Sequence, residues 1–91
     1  MKKIVGKVIT EEKDTILFLF ERRNALTELA KIITPDDAIY EKMVSDMASA
    51  NAKFQQWWNE MSEKYQWESV ENGRWYIDFE TNEIYLLLNQ N

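Results

Sequence analysis

From Tyr40 to Tyr65, the residues Tyr40, Val44, Met47, Asn51, Phe54, Trp58, Met61 and Tyr65 follow one another at steps of four and three, and only Asn51 is strongly polar. Such a repeat is the heptad pattern, which gathers side chains on one side of a helix and requires a facing helix to cover them. It commits the middle of the chain to a long helix packed on another. The facing surface is either the chain's own first helix or that of a second copy or a partner. Asn51 bears on that choice, because a buried amide in such a seam fixes register at some cost in stability.

The 91 residues correspond to one domain with a single small core. With two glycines and one proline, long helices are easier to place than a many-stranded sandwich that turns about every 8 to 12 residues. Residues 3–9, rich in Ile and Val, fit a short strand. Thr10, followed by Glu11, Glu12 and Asp14, reads as a helix start: a hydroxyl that accepts from an orphan N–H, then acids at the positive end of the dipole. This helix is expected to reach about Ile33, with Ile16, Leu19, Phe20, Leu26, Leu29, Ala30 and Ile33 as its apolar face. Leu17 and Phe18 widen that face and predict deep burial near the start, while Asn24 is a candidate kink.

Thr34-Pro35-Asp36-Asp37 reads as a junction, with Thr34 as cap and Pro35 opening a second helix that continues to about Tyr65. So short a connection favours antiparallel helices. Asn72-Gly73 then marks a tight turn. Trp75, Ile77 and Phe79 alternate with Tyr76 and Asp78 as a strand does, and Ile84-Tyr85-Leu86-Leu87-Leu88 returns as the second arm of a hairpin. Residues 89–91 form a polar end. The expected fold class is α+β: two long antiparallel α-helices with a small antiparallel β-sheet from the C-terminal hairpin, which the N-terminal strand can join.

Composition narrows function by exclusion. Without Cys or His the chain has no disulfide, no thiolate nucleophile, no zinc site of the usual kind and no imidazole to move protons near neutral pH. Asp and Glu outnumber Lys and Arg by 16 to 11, a formal charge of -5, whereas nucleic-acid binders gather positive charge to displace counterions from phosphate. Glu11-Glu12 and Asp36-Asp37 sit where helix starts favour acids, and Glu80 and Glu83 flank a turn. None has a metal-loop spacing or a nucleophilic partner, so no cofactor and no catalytic residue is expected. The opening apolar stretch is broken by Gly6 and Lys7, too short and polar for a signal or spanning segment; a cytoplasmic protein without a membrane role is expected.

What the heptad line leaves unassigned marks candidate partner-binding residues. Trp57 points about 100° away from Trp58, and Trp67 follows the helix end; neither is needed by the line. Aromatics at this density suit either a packed junction between helix and sheet or the centre of an interface. In the last strand both faces are apolar, Ile84, Leu86 and Leu88 on one and Tyr85 and Leu87 on the other, so the second face calls for a cover. The N-terminal strand, a symmetry mate or a peptide would supply it. Trp57, Trp67, Tyr85 and Leu87 are therefore the candidates.

Gly6-Lys7-Val8, Phe20-Glu21-Arg22-Arg23-Asn24, Lys53-Phe54-Gln55-Gln56-Trp57-Trp58 and Trp75-Tyr76-Ile77-Asp78-Phe79-Glu80-Thr81-Asn82-Glu83-Ile84, taken in order, resemble the small accessory proteins of CXXX-repeat peptide modification systems. The likeness covers nearly the whole chain. Those are bacterial proteins encoded with a Cys-rich repeat peptide and a radical-SAM maturation enzyme. The resemblance implies a non-catalytic helper whose partner is the precursor peptide or the enzyme, and it carries over no catalytic residue. Without cysteines to hold an iron–sulfur cluster, the radical chemistry would belong to another protein. The alternatives are a structural homodimer and a winged-helix regulator with the hairpin as wing.

Overall fold

The computed structural model describes residues 2–88; the expected polar end at 89–91 lies outside the described residues. Five elements follow in chain order: β1 (Lys2–Lys7), α1 (Thr10–Ala30), α2 (Tyr40–Tyr65), β2 (Gly73–Ile77) and β3 (Glu83–Leu88). They make the expected α+β fold, two helices and an antiparallel three-stranded sheet ordered β1-β3-β2. The chain divides into two compact units. One comprises Ile16–Asn59; the other combines residues 2–15 with 60–88.

The Ile16–Asn59 unit is a helical hairpin with Ile16, Leu19, Leu26, Met43, Ala50 and Trp57 buried. The helices run antiparallel: Leu26 and Leu29 line a cleft with Ile39 and Met43, while Arg23, earlier in α1, lies 4.0 Å over the ring of Phe54, later in α2. The packed face of α2 differs from the heptad line. Val44 and Asn51 are exposed, and Met43, Ala50 and Trp57 are buried in their place. Met43, Met47, Ala50, Phe54, Trp57 and Met61 form a second line at steps of four and three that shares Met47, Phe54 and Met61 with the first. This second line is wholly apolar. Turning α2 onto it leaves the Asn51 amide in water and avoids the cost of burying it.

Two further expectations are corrected in this unit. Phe18 is 65% exposed, so the apolar ring at the start of α1 is not a deeply buried collar. The second helix begins at Tyr40 rather than at Pro35. Thr34 and Asp37 close a single turn on themselves: the Thr34 N–H donates to Asp37 Oδ2 at 2.7 Å and the Asp37 N–H to the Thr34 carbonyl at 2.9 Å. A second turn follows from Asp37 to Tyr40, and Ile39, whose carbonyl accepts from the Met43 N–H at 2.9 Å, caps α2.

In the sheet-bearing unit β3 is central, with β1 on one edge and β2 on the other; its Ile84 and Leu86 face is buried and its Tyr85 and Leu87 face only half-buried. Ile84 and Leu86 point to the buried side with Val8 and Trp67. β1 pairs antiparallel with β3 from Lys2 opposite Leu87 to Lys7 opposite Glu83, with a bulge between Ile4 and Gly6. The bulge brings Gly6 against the Trp67 indole. β2 pairs with the other edge of β3, Arg74 opposite Leu87 and Tyr76 opposite Tyr85. The loop between β2 and β3 is set by Asp78, whose Oδ1 accepts from the N–H groups of Glu80 at 2.9 Å and Thr81 at 3.3 Å, and by Asn82 at φ 64°.

Candidate functional site

The structure places the four candidate residues in two different settings. Trp57 is 5% exposed in the helical hairpin and Trp67 is 7% exposed in the sheet-bearing unit, so both indoles are core side chains. Trp57 meets Trp58 edge-on, with centroids 4.9 Å apart. Trp67 is stacked on Tyr65 at 5.6 Å and meets Trp75 edge-on at 5.7 Å, while the Trp75 Nε1–H donates to the Glu68 carbonyl at 2.9 Å. Tyr85 and Leu87 are brought together on the face of β3 opposite Ile84 and Leu86.

On that face the register builds two cross-strand rows. One is Ile4–Tyr85–Tyr76 and the next is Lys2–Leu87–Arg74. The rings of Tyr76 and Tyr85 are stacked, 5.7 Å apart and 15° from parallel, and Lys2 Nζ lies 4.2 Å from the Tyr85 centroid. Such a cation over an aromatic face contributes about 0.5–1 kcal/mol at an exposed site. Ile4 and Tyr76 are exposed, and Tyr85 and Leu87 half-buried. Asn72, Arg74, Tyr76, Leu87 and Leu88 line a shallow depression of about 410 Å³ beside the stack. Two tyrosines, two aliphatic side chains and two cations thus share one face of the sheet. Sequence reasoning placed Tyr85 and Leu87 on one face but did not join Lys2, Ile4, Arg74 and Tyr76 to them; the signal for Tyr76 and Arg74 was the hairpin register, which pairs Tyr76 with Tyr85.

The densest ionisable cluster lies elsewhere in the same unit and is structural. Glu12, with its side chain 12% exposed, accepts from the Ile9 N–H at 3.1 Å, from the Tyr65 hydroxyl at 2.5 Å and from Lys64 Nζ at 2.5 Å. Because the Lys13 N–H donates to the Ile9 carbonyl at 3.0 Å, Ile9 is the cap of α1, and Glu12 closes half of a capping box. The expected cap, Thr10, instead accepts from Asn82 Nδ2 at 3.4 Å. Burial by itself would push the Glu12 carboxyl up, but the hydrogen bonds from Lys64, Tyr65 and Ile9 and the Lys64 charge outweigh it and hold the carboxyl below its ordinary value. The Glu12 hydrogen bond, in turn, raises both Lys64 and Tyr65. Among the described residues no group of three or more Asp and Glu side chains is arranged to hold a metal ion, and no helix is long and apolar enough to cross a membrane.

The fold and this face define the class: a two-helix α+β protein with an aromatic, cation-flanked sheet surface. Comparison with family models, with curated proteins and with solved structures gives no match to the chain.

Proposed function

We propose that the protein is a non-catalytic interaction subunit that binds a peptide or protein segment on the open face of its sheet. The observation that carries this reading is the stacked pair Tyr76 and Tyr85, with Ile4 and Leu87 beside it and Lys2 and Arg74 at its end. Rigid aromatic rings give large contact area at low entropic cost, which is what the centre of a binding surface needs. The resemblance to accessory proteins of CXXX-repeat peptide modification systems supplies the setting: a bacterial, cytoplasmic helper that presents the precursor peptide to a radical-SAM enzyme, or holds that enzyme. Neither a cofactor nor a membrane nor a nucleic acid enters this role.

Immobilised protein should retain either the Cys-rich repeat peptide or the modification enzyme encoded beside it, and Tyr85→Ala should release the retained partner while the protein stays folded by circular dichroism. If folded protein on the beads retains neither partner, the accessory reading fails.

A further inference from the structure

We infer that the open sheet face takes an acidic peptide segment, with a partner carboxylate seated over Leu87 between Lys2 and Arg74. This rests on the binding-face reading above and adds the chemistry of its occupant. The cross-strand row Lys2–Leu87–Arg74 puts a cation on each edge strand and an aliphatic side chain on the central one. Neighbouring strands lie about 4.8 Å apart, so the backbones of Lys2 and Arg74 stand roughly 10 Å from each other, the span a carboxylate bridges when two long cationic side chains fold in from either side.

The charge on this row is left over from a chain that has acids to spare. Carboxylates exceed cations by 16 to 11, and Lys3, Lys13, Lys31, Lys42 and Lys64 each hold an Asp or Glu within 4.0 Å. Among the described residues Lys2 and Arg74 form no ion pair, nor do Lys7, Arg22, Arg23 and Lys53, but Lys2 and Arg74 share one cross-strand row of the sheet. Lys3, the immediate neighbour of Lys2, reaches Glu68 at 2.8 Å, whereas Lys2 lies over the Tyr85 ring. Two cations on one face with no acid in their row form a local positive patch on an acidic protein, and that patch selects a partner of opposite sign. At the other end of the face, about 13 Å from Leu87 along the strand, Glu83 stands opposite Lys7, so an acid faces a cation there whereas the Leu87 row has cations alone. The acidic residue of a bound segment therefore belongs at the Leu87 end, with its apolar residues on Tyr85 and Tyr76.

The test is fluorescence anisotropy with the full chain and a labelled ten-residue probe peptide alternating Glu and Val, against the same peptide with Gln for Glu. The Glu probe should bind at least about tenfold more tightly than the Gln probe, and its affinity should fall as salt is raised. Arg74→Glu should weaken the Glu probe at least about tenfold and Lys2→Gln by a smaller factor, both without loss of fold, because these side chains project from the exposed face. Equal affinity for the two probes, or an Arg74→Glu variant that binds as the wild type does, overturns the inference. The bead experiment with Arg74→Glu separates this failure from that of the accessory reading: a partner retained equally by wild type and Arg74→Glu keeps the reading and removes the acidic occupant.

Discussion

Gly6 lies flat against the indole of Trp67: a Cβ at position 6 would stand 2.6 Å from Trp67 Nε1 and 2.7 Å from Cδ1. The φ of Gly6 is not positive, so glycine is needed here for closeness rather than for backbone freedom. Gly6→Ala should therefore displace a ring that is part of the core, at about 1–3 kcal/mol, the usual cost of overpacking. Urea denaturation followed by tryptophan fluorescence measures it, and an unchanged midpoint would refute the contact. Gly73→Ala should also lower the midpoint, because its Cβ would stand 2.8 Å from Val70 Cγ2, 3.0 Å from the buried Leu86 Cδ1 and 3.2 Å from the Val70 carbonyl oxygen.

Asn51→Leu should be nearly silent, within about 0.5 kcal/mol, because position 51 faces water. Ala50→Leu, one residue earlier and 2% exposed, should cost about 1–3 kcal/mol from overpacking. Thermal melts of the pair read out directly which of the two heptad lines α2 buries. A reversed order would restore the Asn51 line as the seam.

Acid unfolding should reveal Glu12. Its folded carboxyl lies below its ordinary 4.5, so the unfolded chain binds the extra proton first as pH falls. The stabilisation is thus complete above about pH 4.5 and disappears as pH drops through the folded value. Glu12→Gln should be less stable at pH 7 and should show a flatter loss of stability below pH 5 in a series of urea melts. Tyr65 runs the opposite way. Its hydroxyl is raised above its ordinary 10.0, so its contribution is present below pH 10 and is lost as pH rises through the folded value. Tyr65→Phe should flatten the alkaline limb.

Gln66 ends α2 at φ 50°, a left-handed conformation that costs a residue with a Cβ about 1–2 kcal/mol. Gln66→Gly should raise stability by about 0.5–1 kcal/mol after its own entropy loss is subtracted, measured by the denaturation midpoint. A lower midpoint would mean that the Gln66 side chain contributes more than the strain removes.

The fold class was legible because its signals are local. Apolar steps of three and four gave both helices, alternation gave β2, and two-sided apolarity singled out β3. What the sequence hid was rotation and reciprocity. Two heptad lines share Met47, Phe54 and Met61, and choosing between them means comparing the burial of Asn51 with that of Ala50 and Trp57, which depends on the facing helix. The wrong line also made Trp57 look surplus. Likewise Thr34-Pro35-Asp36-Asp37 carries every mark of a helix start, yet the Asp37 side chain bonds back to Thr34 and the segment closes as two successive turns, Thr34 to Asp37 and Asp37 to Tyr40, before α2 begins. The candidate face was half legible: Tyr85 and Leu87 follow from alternation alone, whereas Lys2 joins them only by pairing with Leu87, 85 positions later, and Arg74 only through the hairpin register.

The strand order β1-β3-β2 also dictates when the sheet can exist. Its middle strand, residues 83–88, is the one a ribosome makes after both of its neighbours, so β1 waits some 75 residues for its partner while the contiguous Ile16–Asn59 hairpin can already form. During synthesis the pairing edge of β1 stays uncovered until β3 emerges, and a chain cut short before residue 83 should form helices but no sheet.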